Sequence, residues 1–267
     1  MNDLSILISS CENFSDLWPN IEPLFSRYTD FRNNIFLLSD HENSFKFDFI
    51  KFIYCDGEFS QRLRNGLINI QTDYVLLTLD DYYLDKKVNA NEIETIVNLM
   101  KKNGVDYCRI YKTPKFGKTI NKALKVKKLS LEESCYEVNL YPGIWKRQSL
   151  LKILSISNNE NPWQFEVMLT SRCKKLGFNC LSCLKSNLFH FVDVIRKGKY
   201  LRSAYRHLRK NNLYISNRKK RTILETFKLN ARVVLGKIIP MPIVRRYRRS
   251  RFNKSYSSYA NTFDKKE

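Results

Sequence analysis

Short unbroken apolar runs alternate along this chain with longer stretches in which apolar positions recur every three or four residues. Runs this short suit strands covered on both faces better than helices. Four of them open the chain: Leu4–Ser9, Ile35–Leu38, Ile50–Tyr54 and Tyr74–Leu79. Between the first two, Phe14, Leu17, Trp18, Ile21, Leu24, Phe25 and Tyr28 keep helical spacing. Asn13 or Ser15 can cap that helix, and Pro19 falls in its first turn, where a missing N–H costs little. Leu63, Leu67, Ile68 and Ile70 mark a helix from about Ser60. Ile93, Ile96, Val97 and Met100 mark another over about 90–103, closed by Asn103-Gly104.

Further along, lysine-rich 112–135 reads as a loop with short helical pieces. Cys135–Leu140 reads as a strand broken by Tyr141-Pro-Gly, and Trp145 onward as a helix through Leu150, Leu151, Ile153 and Leu154. Trp163–Leu176 reads as a helix stopped at Gly177, and Phe178–Leu184 and Leu188–Val192 as short strands. Residues 197–211 and 222–239 each pattern as an amphipathic helix. The second carries Ile223, Phe227, Ala231, Val234 and Ile238 at helical spacing, and Pro240-Met-Pro242 breaks it. Buried strands separated by amphipathic helices predict an α/β fold with a mostly parallel sheet flanked by helices. Such sheets bind ligands beyond the carboxyl ends of their strands. Those ends carry Ser9-Ser10, Asp40 and Asp80-Asp81.

Charge divides the chain. Of 267 residues, 47 are Lys or Arg and 26 Asp or Glu, for a net +21. Residues 1–195 hold a net +2, whereas 196–267 hold 22 basic and 3 acidic residues, a net +19. The expected organisation is a catalytic body over 1–195 and a basic helical extension over 196–267. A surface-binding tail fits that asymmetry. With 17 Phe and 15 Tyr the chain can build a core, which excludes wholesale disorder. No run reaches the length of a spanning helix. Met1 leads through Asn-Asp into a strand-like run, so no secretory signal is expected, and seven irregularly spaced cysteines fit a reducing, cytoplasmic compartment.

Several residues suit chemistry. Asp80 and Asp81 end a buried strand, where paired carboxylates are costly unless a cation offsets them; a divalent metal bridging a diphosphate does so, and a solvated loop is the plainer reading. Arg62-Leu-Arg64-Asn65-Gly66 leads into that strand, and Arg64, more than Arg62, is expected to meet phosphate. Glu166 falls in the first turn of a helix after Asn161-Pro-Trp163, where a carboxylate is favoured electrostatically and is also placed to act as a general base. His190 sits in an apolar run, as a satisfied histidine or a metal ligand. Cys180-Leu-Ser-Cys183 lacks a second ligand pair and reads as core.

Taken together, these residues resemble the GT-A-type glycosyltransferases, in particular the inverting family-two class and its bacterial surface-polysaccharide branch. The likeness spans roughly 4–192 in element order. Ser60-Gln-Arg-Leu-Arg-Asn-Gly-Leu67 followed by Asp73–Tyr82 is similar to that class's RN-x-G helix and LDxD strand. Its catalytic acid stands three residues before a Leu, six before an Arg and eleven before a Gly, as Glu166 does before Leu169, Arg172 and Gly177. The resemblance implies a nucleotide-sugar donor, a UDP-sugar first among them, with base and ribose near Ser9, Ser10 and Asp40, and with Arg64 and Asn65 assisting. It implies Mg2+ or Mn2+ held by Asp80, Asp81 and His190. It makes Glu166 the base, with Trp145 and Trp163 beside a lipid-linked or glycan acceptor. One departure is Tyr82, which stands where the class usually has the last acid of its DxD.

The basic end suits an anionic membrane surface on the cytoplasmic side, with Arg245, Arg246, Arg248, Arg249 and Arg251 as its densest cluster. Nucleic acid is not expected, because an apolar stripe has no use on a duplex. The competing readings are a non-catalytic basic adaptor and a sugar nucleotidyltransferase. The latter ordinarily shows a glycine-rich phosphate loop, and Ser9-Ser10-Cys11-Glu12 supplies none.

Overall fold

The computed structural model describes residues 3–42, 45–111, 118–121, 126–132, 137–183 and 188–239, with positions 243, 246 and 250; over 232–238 only the backbone is described. The strands are β1 (Leu4–Ser9), β2 (Ile35–Ser39), β3 (Lys51–Tyr54), β4 (Tyr74–Leu79), β5 (Tyr82–Leu84), β6 (Tyr107–Arg109), β7 (Lys118–Asn121), β8 (Val126–Lys128), β9 (Gly143–Lys146), β10 (Cys180–Cys183), β11 (Phe191–Asp193), β12 (Ile195–Arg196) and β13 (Lys199–Tyr200). The helices are α1 (Ile21–Tyr28), α2 (Phe59–Ile68), α3 (Ala90–Lys102), α4 (Arg147–Ser155), α5 (Pro162–Lys175), α6 (Arg202–Lys210) and α7 (Ile223–Ile238).

A nine-stranded sheet runs in the order β3-β2-β1-β4-β9-β6-β10-β8-β7. Only β9 and β8 oppose the common direction. The class is therefore α/β with a mostly parallel sheet, as the apolar runs predict. Alternate side chains of each strand feed two cores. Leu4, Ile6, Ile8, Leu37 and Leu76 pack with Trp18, Leu24 and Ile93 on one face. Leu7, Phe36, Leu38, Val75 and Leu77 pack with Leu63, Leu150 and Phe165 on the other. At Gly66, an added Cβ would fall 2.8 Å from Leu38 Cδ1, so the glycine lets α2 lie close on β2.

The structure corrects several expectations. The first helix is split into a 3-10 stretch, Glu12–Asn20, and α1. Pro19 disfavours α geometry at Trp18 and removes a donor, so a regular α-helix starts only after it. Trp145 does not start a helix: it lies in β9, opposite Val75 and Tyr107, and the helical spacing belongs to α4. Cys135 lies outside the described residues, and Glu137–Leu140 form no strand. There the backbone of Val138 is satisfied instead by Thr170 Oγ1 of α5, at 3.2 Å from its N and 3.1 Å from its O.

The division expected at 195/196 coincides with no break in packing. Val194, Ile195, Tyr200, Ala204 and Leu208 enter the same core as β1. The segment after α6 then straps across the 3-10 stretch. Asn20 and Tyr214 exchange hydrogen bonds at 2.7 and 2.9 Å, and Arg218 grips Asp16 at 2.7 and 2.6 Å. Total charge hid this, because Arg206, Arg209, Lys210, Lys219 and Lys220 ride on solvent-facing positions while small apolar faces pack beneath them.

Candidate active site

Strand order reverses between β1 and β4, and a crevice beyond the carboxyl ends of such neighbours is where this kind of sheet binds ligands. The backbone there brings Ser10 and Asp80 together: Ser10 N donates to Leu38 O at 2.8 Å and Asp80 N to Ser9 O at 3.3 Å. Ser10 Oγ donates a hydrogen bond to Asp80 Oδ2 and accepts from Trp18 Nε1 at 2.7 Å. Asp80 is buried, and desolvation, then the neighbouring Asp81 charge, push its carboxyl well above the usual range. A carboxylate so placed is poised to gain from an added positive charge.

Beside it, Asp40 at the end of β2 is held on both oxygens. Glu12 N donates to Oδ1 at 2.8 Å, and Arg62 Nη1 lies 2.9 Å from Oδ2 and 3.0 Å from Gly57 O. Arg62 is 6% exposed, whereas Arg64 and Asn65 lie on the solvent side of α2. The expectation that Arg64 rather than Arg62 faces the crevice is therefore reversed. Arg62 stands three residues after buried Phe59 and four before buried Gly66, on the helix's inner face.

The second half of the site lies along the same sheet edge. Tyr82 follows Asp81 into β5 and packs edge-on against Tyr111 at 5.2 Å and Tyr141 at 6.4 Å between ring centroids. Arg109, at the end of β6, stacks on Tyr141 at 5.1 Å and donates from Nε to Tyr111 O at 2.9 Å. Glu166 arrives from α5, whose start is fixed by a capping box between Asn161 and Gln164 with Pro162 in the first turn. Leu140 N donates to Glu166 Oε1 at 3.1 Å. Burial raises the Glu166 carboxyl above its ordinary 4.5, against the pull of that N–H and of Arg109. Burial and then the Glu166 charge raise the Tyr141 phenol, and burial and then Asp81 raise Tyr82. The two phenols thus link the aspartate strand end to the glutamate helix.

α5 is clamped to α2. Arg172 Nη1 donates to Glu160 Oε2 at 2.7 Å, and its Nη2 pairs with Oε1. Glu160 N donates to Ser60 Oγ at 2.8 Å and Ser60 N to Glu160 O at 3.1 Å. The elements carrying Arg62 and Glu166 share this buried joint.

Other expected residues are not gathered here. Trp145 is 1% exposed with its ring 4.4 Å from Tyr107, a core position that meets no acceptor; Trp163 is 68% exposed at the start of α5. His190 is separated from Asp81 by register. In the β5–β11 ribbon Phe191 opposes Leu84 and Asp193 opposes Tyr82, so His190 sits beside Asp85 at the far end, about 13 Å along the strands from Asp81. Among the described residues no three His, Cys, Asp or Glu side chains form a metal-binding group. Mg2+ needs no such cage when a diphosphate supplies ligands, and half-buried Asp81 next to Asp80 fits that shared mode. Arg62, Arg109 and Arg218 were missed as cations close to Asp40, Glu166 and Asp80. Only Arg62 left a signal in the sequence, its helical phase relative to Phe59 and Gly66.

No family profile matches the chain, and no curated protein matches it. Solved structures do. S. aureus TarS 1–349 is 11% identical with a TM-score of 0.47, over 71% of this chain and 59% of that one. The same fragment has been solved with UDP-GlcNAc. The bifunctional IspDF of Campylobacter jejuni is 14% identical with a TM-score of 0.43, over 72% of this chain and 52% of that one. A cytidylyltransferase of Leptospira borgpetersenii is 12% identical with a TM-score of 0.44, over 91% and 96%. The chain thus spans little more than half of the first two. At TM-scores below 0.5 these likenesses carry no argument, and the chemistry has to be read from the side chains.

Proposed function

We propose that this protein is a nucleotide-sugar-dependent glycosyltransferase, hexosyltransferase-like and inverting. One observation carries the reading. A single sheet edge holds a buried Ser10–Asp80 pair, an Asp40–Arg62 pair and, joined to them through Tyr82 and Tyr141, a carboxyl of raised pKa on α5. In this reading the base and ribose lie near Asp40 and Ser9-Ser10, and Arg62 would offer its charge to the phosphates. Asp81 with Asp80 would hold Mg2+ or Mn2+, which supplies positive charge at the departing diphosphate.

Glu166, its carboxyl raised in pKa by burial, takes in its ionised form the proton from an acceptor hydroxyl as that oxygen attacks the anomeric carbon. Attack on the face opposite the departing diphosphate inverts the configuration. Trp163, exposed at the start of α5 three residues before Glu166, offers a flat apolar face for a sugar ring. The acceptor in this reading is lipid-linked or a growing glycan, met at the cytoplasmic face of the membrane during surface polysaccharide synthesis.

A panel of nucleotide sugars and CTP, scored by thermal shift with and without Mn2+, tests the donor class. A UDP-sugar is expected to raise the melting temperature, more so with the metal. A shift from CTP with none from any nucleotide sugar would turn the reading toward nucleotidyl transfer.

A further inference from the structure

Helix α7 is fixed at its start, and its first turns are bare on one side. Thr222 Oγ1 accepts from Glu225 N at 3.1 Å while Glu225 Oε2 accepts from Thr222 N at 2.8 Å, a reciprocal cap. Glu225 Oε1 pairs with Lys199 Nζ at 2.7 Å, which ties this turn to the β12–β13 hairpin. So anchored, the helix shows Ile223, Leu224 and Phe227 to solvent at 72%, 62% and 69% exposure. At ~100° per residue they lie within about 100° of arc, and backbone positions 231, 234 and 238 continue that side. Sixteen residues give the helix a length of about 24 Å. Ile239 and Ile243 beyond it are exposed as well. Large contiguous apolar patches on a protein surface mark a binding face.

The surrounding charge selects the occupant. Residues 196–267 carry 22 basic and 3 acidic side chains, and Lys219, Lys220, Lys228 and Arg246 are exposed near α7 in sequence. Arg245, Arg248, Arg249 and Arg251 lie outside the described residues. A second copy would bring +19 against +19. A nucleic acid would accept the cations and leave Ile223, Leu224 and Phe227 in water. An anionic bilayer accepts both. No helix among the described residues is long and apolar enough to cross a membrane.

We infer that α7 lies in the plane of an anionic lipid surface, with Ile223, Leu224 and Phe227 at the acyl boundary and the flanking lysines and arginines at lipid phosphates. This names the surface by which the enzyme proposed above would meet its membrane, and its test uses no transfer reaction, so either idea can fail alone.

The experiment is flotation of the full chain with vesicles of phosphatidylcholine alone or mixed with phosphatidylglycerol, at low and high salt. Wild-type protein is expected to float with the anionic vesicles and to bind at least about tenfold more weakly to neutral ones. A triple variant, Ile223→Ser, Leu224→Ser and Phe227→Ser, is expected to lose at least about tenfold in partitioning with an unchanged melting temperature, since all three side chains are exposed. Single Phe227→Ser is the milder check. Full binding by the triple variant would overturn the inference, because charge alone would then suffice. So would wild-type protein that ignores vesicles, or that self-associates through this face as judged by dissociation on the triple substitution.

Discussion

Arg172→Met removes the cation from a carboxylate that has nowhere to go. Glu160 is buried, its backbone N–H and C=O are both spent on Ser60, and its two oxygens face the guanidinium. The side chain therefore stays buried when its partner leaves. Breaking a buried pair from one side costs about 3–5 kcal/mol. A domain has only ~5–15 kcal/mol in total. In a chain of this size each kcal/mol moves the melting temperature by about 2–4 °C, so the single variant should melt roughly 6–20 °C below wild type. Replacing both partners, Glu160→Leu with Arg172→Met, should recover all but about 1–2 kcal/mol, since no charge is then stranded. Urea unfolding with an unchanged slope checks the energies directly. A single variant within about 1 kcal/mol of wild type would refute the reasoning, because Glu160 would then have to reach water or another cation.

Other outcomes follow from the same geometry. Asp80 is held above its unfolded pKa of 3.8, so its contribution is fully present in acid and is lost as pH rises through the folded value. Asp80→Asn should therefore raise the melting temperature of the metal-free protein at neutral pH and flatten its decline with pH; parallel profiles for variant and wild type would count against burial as the cause. Arg62→Leu should weaken nucleotide binding by about ten- to a hundredfold in calorimetry, whereas Arg64→Leu should leave it unchanged; equal effects would return Arg64 to the crevice. Gly143→Ala places a Cβ 2.5 Å from the buried Tyr107 ring and should cost about 1–3 kcal/mol in denaturant, with a neutral result meaning that the ring can move.

Much of the sheet was readable because burial on both faces leaves an unbroken apolar run. β1 and β4 coincide with the expected Leu4–Ser9 and Tyr74–Leu79. β9 was not readable. Gly143-Ile-Trp-Lys146 is short, follows a Pro-Gly break, and runs straight into the helical periodicity of α4, which absorbed Trp145. Its identity as a strand depends on two partners, β4 and β6, far away in sequence. The site divides in the same way. Asp80 and Asp81 show through a strand end, and Glu166 through its spacing to Leu169, Arg172 and Gly177 in the family resemblance. The Asp40–Arg62 pair, the three tyrosines with Arg109, and the strap from Tyr214 to Arg218 are long-range contacts that local spacing does not encode. His190 failed for a related reason: its distance from Asp81 is set by the pairing register of β5 with β11, which places Asp193 opposite Tyr82 instead.

The central claim is that Glu166 removes a proton from an acceptor while the crevice of Asp40, Arg62 and Asp80 holds the donor. Once a donor sugar has been found by thermal shift, its transfer rate and its dissociation constant should be measured for wild type and Glu166→Gln. The account predicts turnover lower by about 100- to 10,000-fold, with donor affinity nearly unchanged. A Gln variant that transfers sugar at the wild-type rate would contradict it.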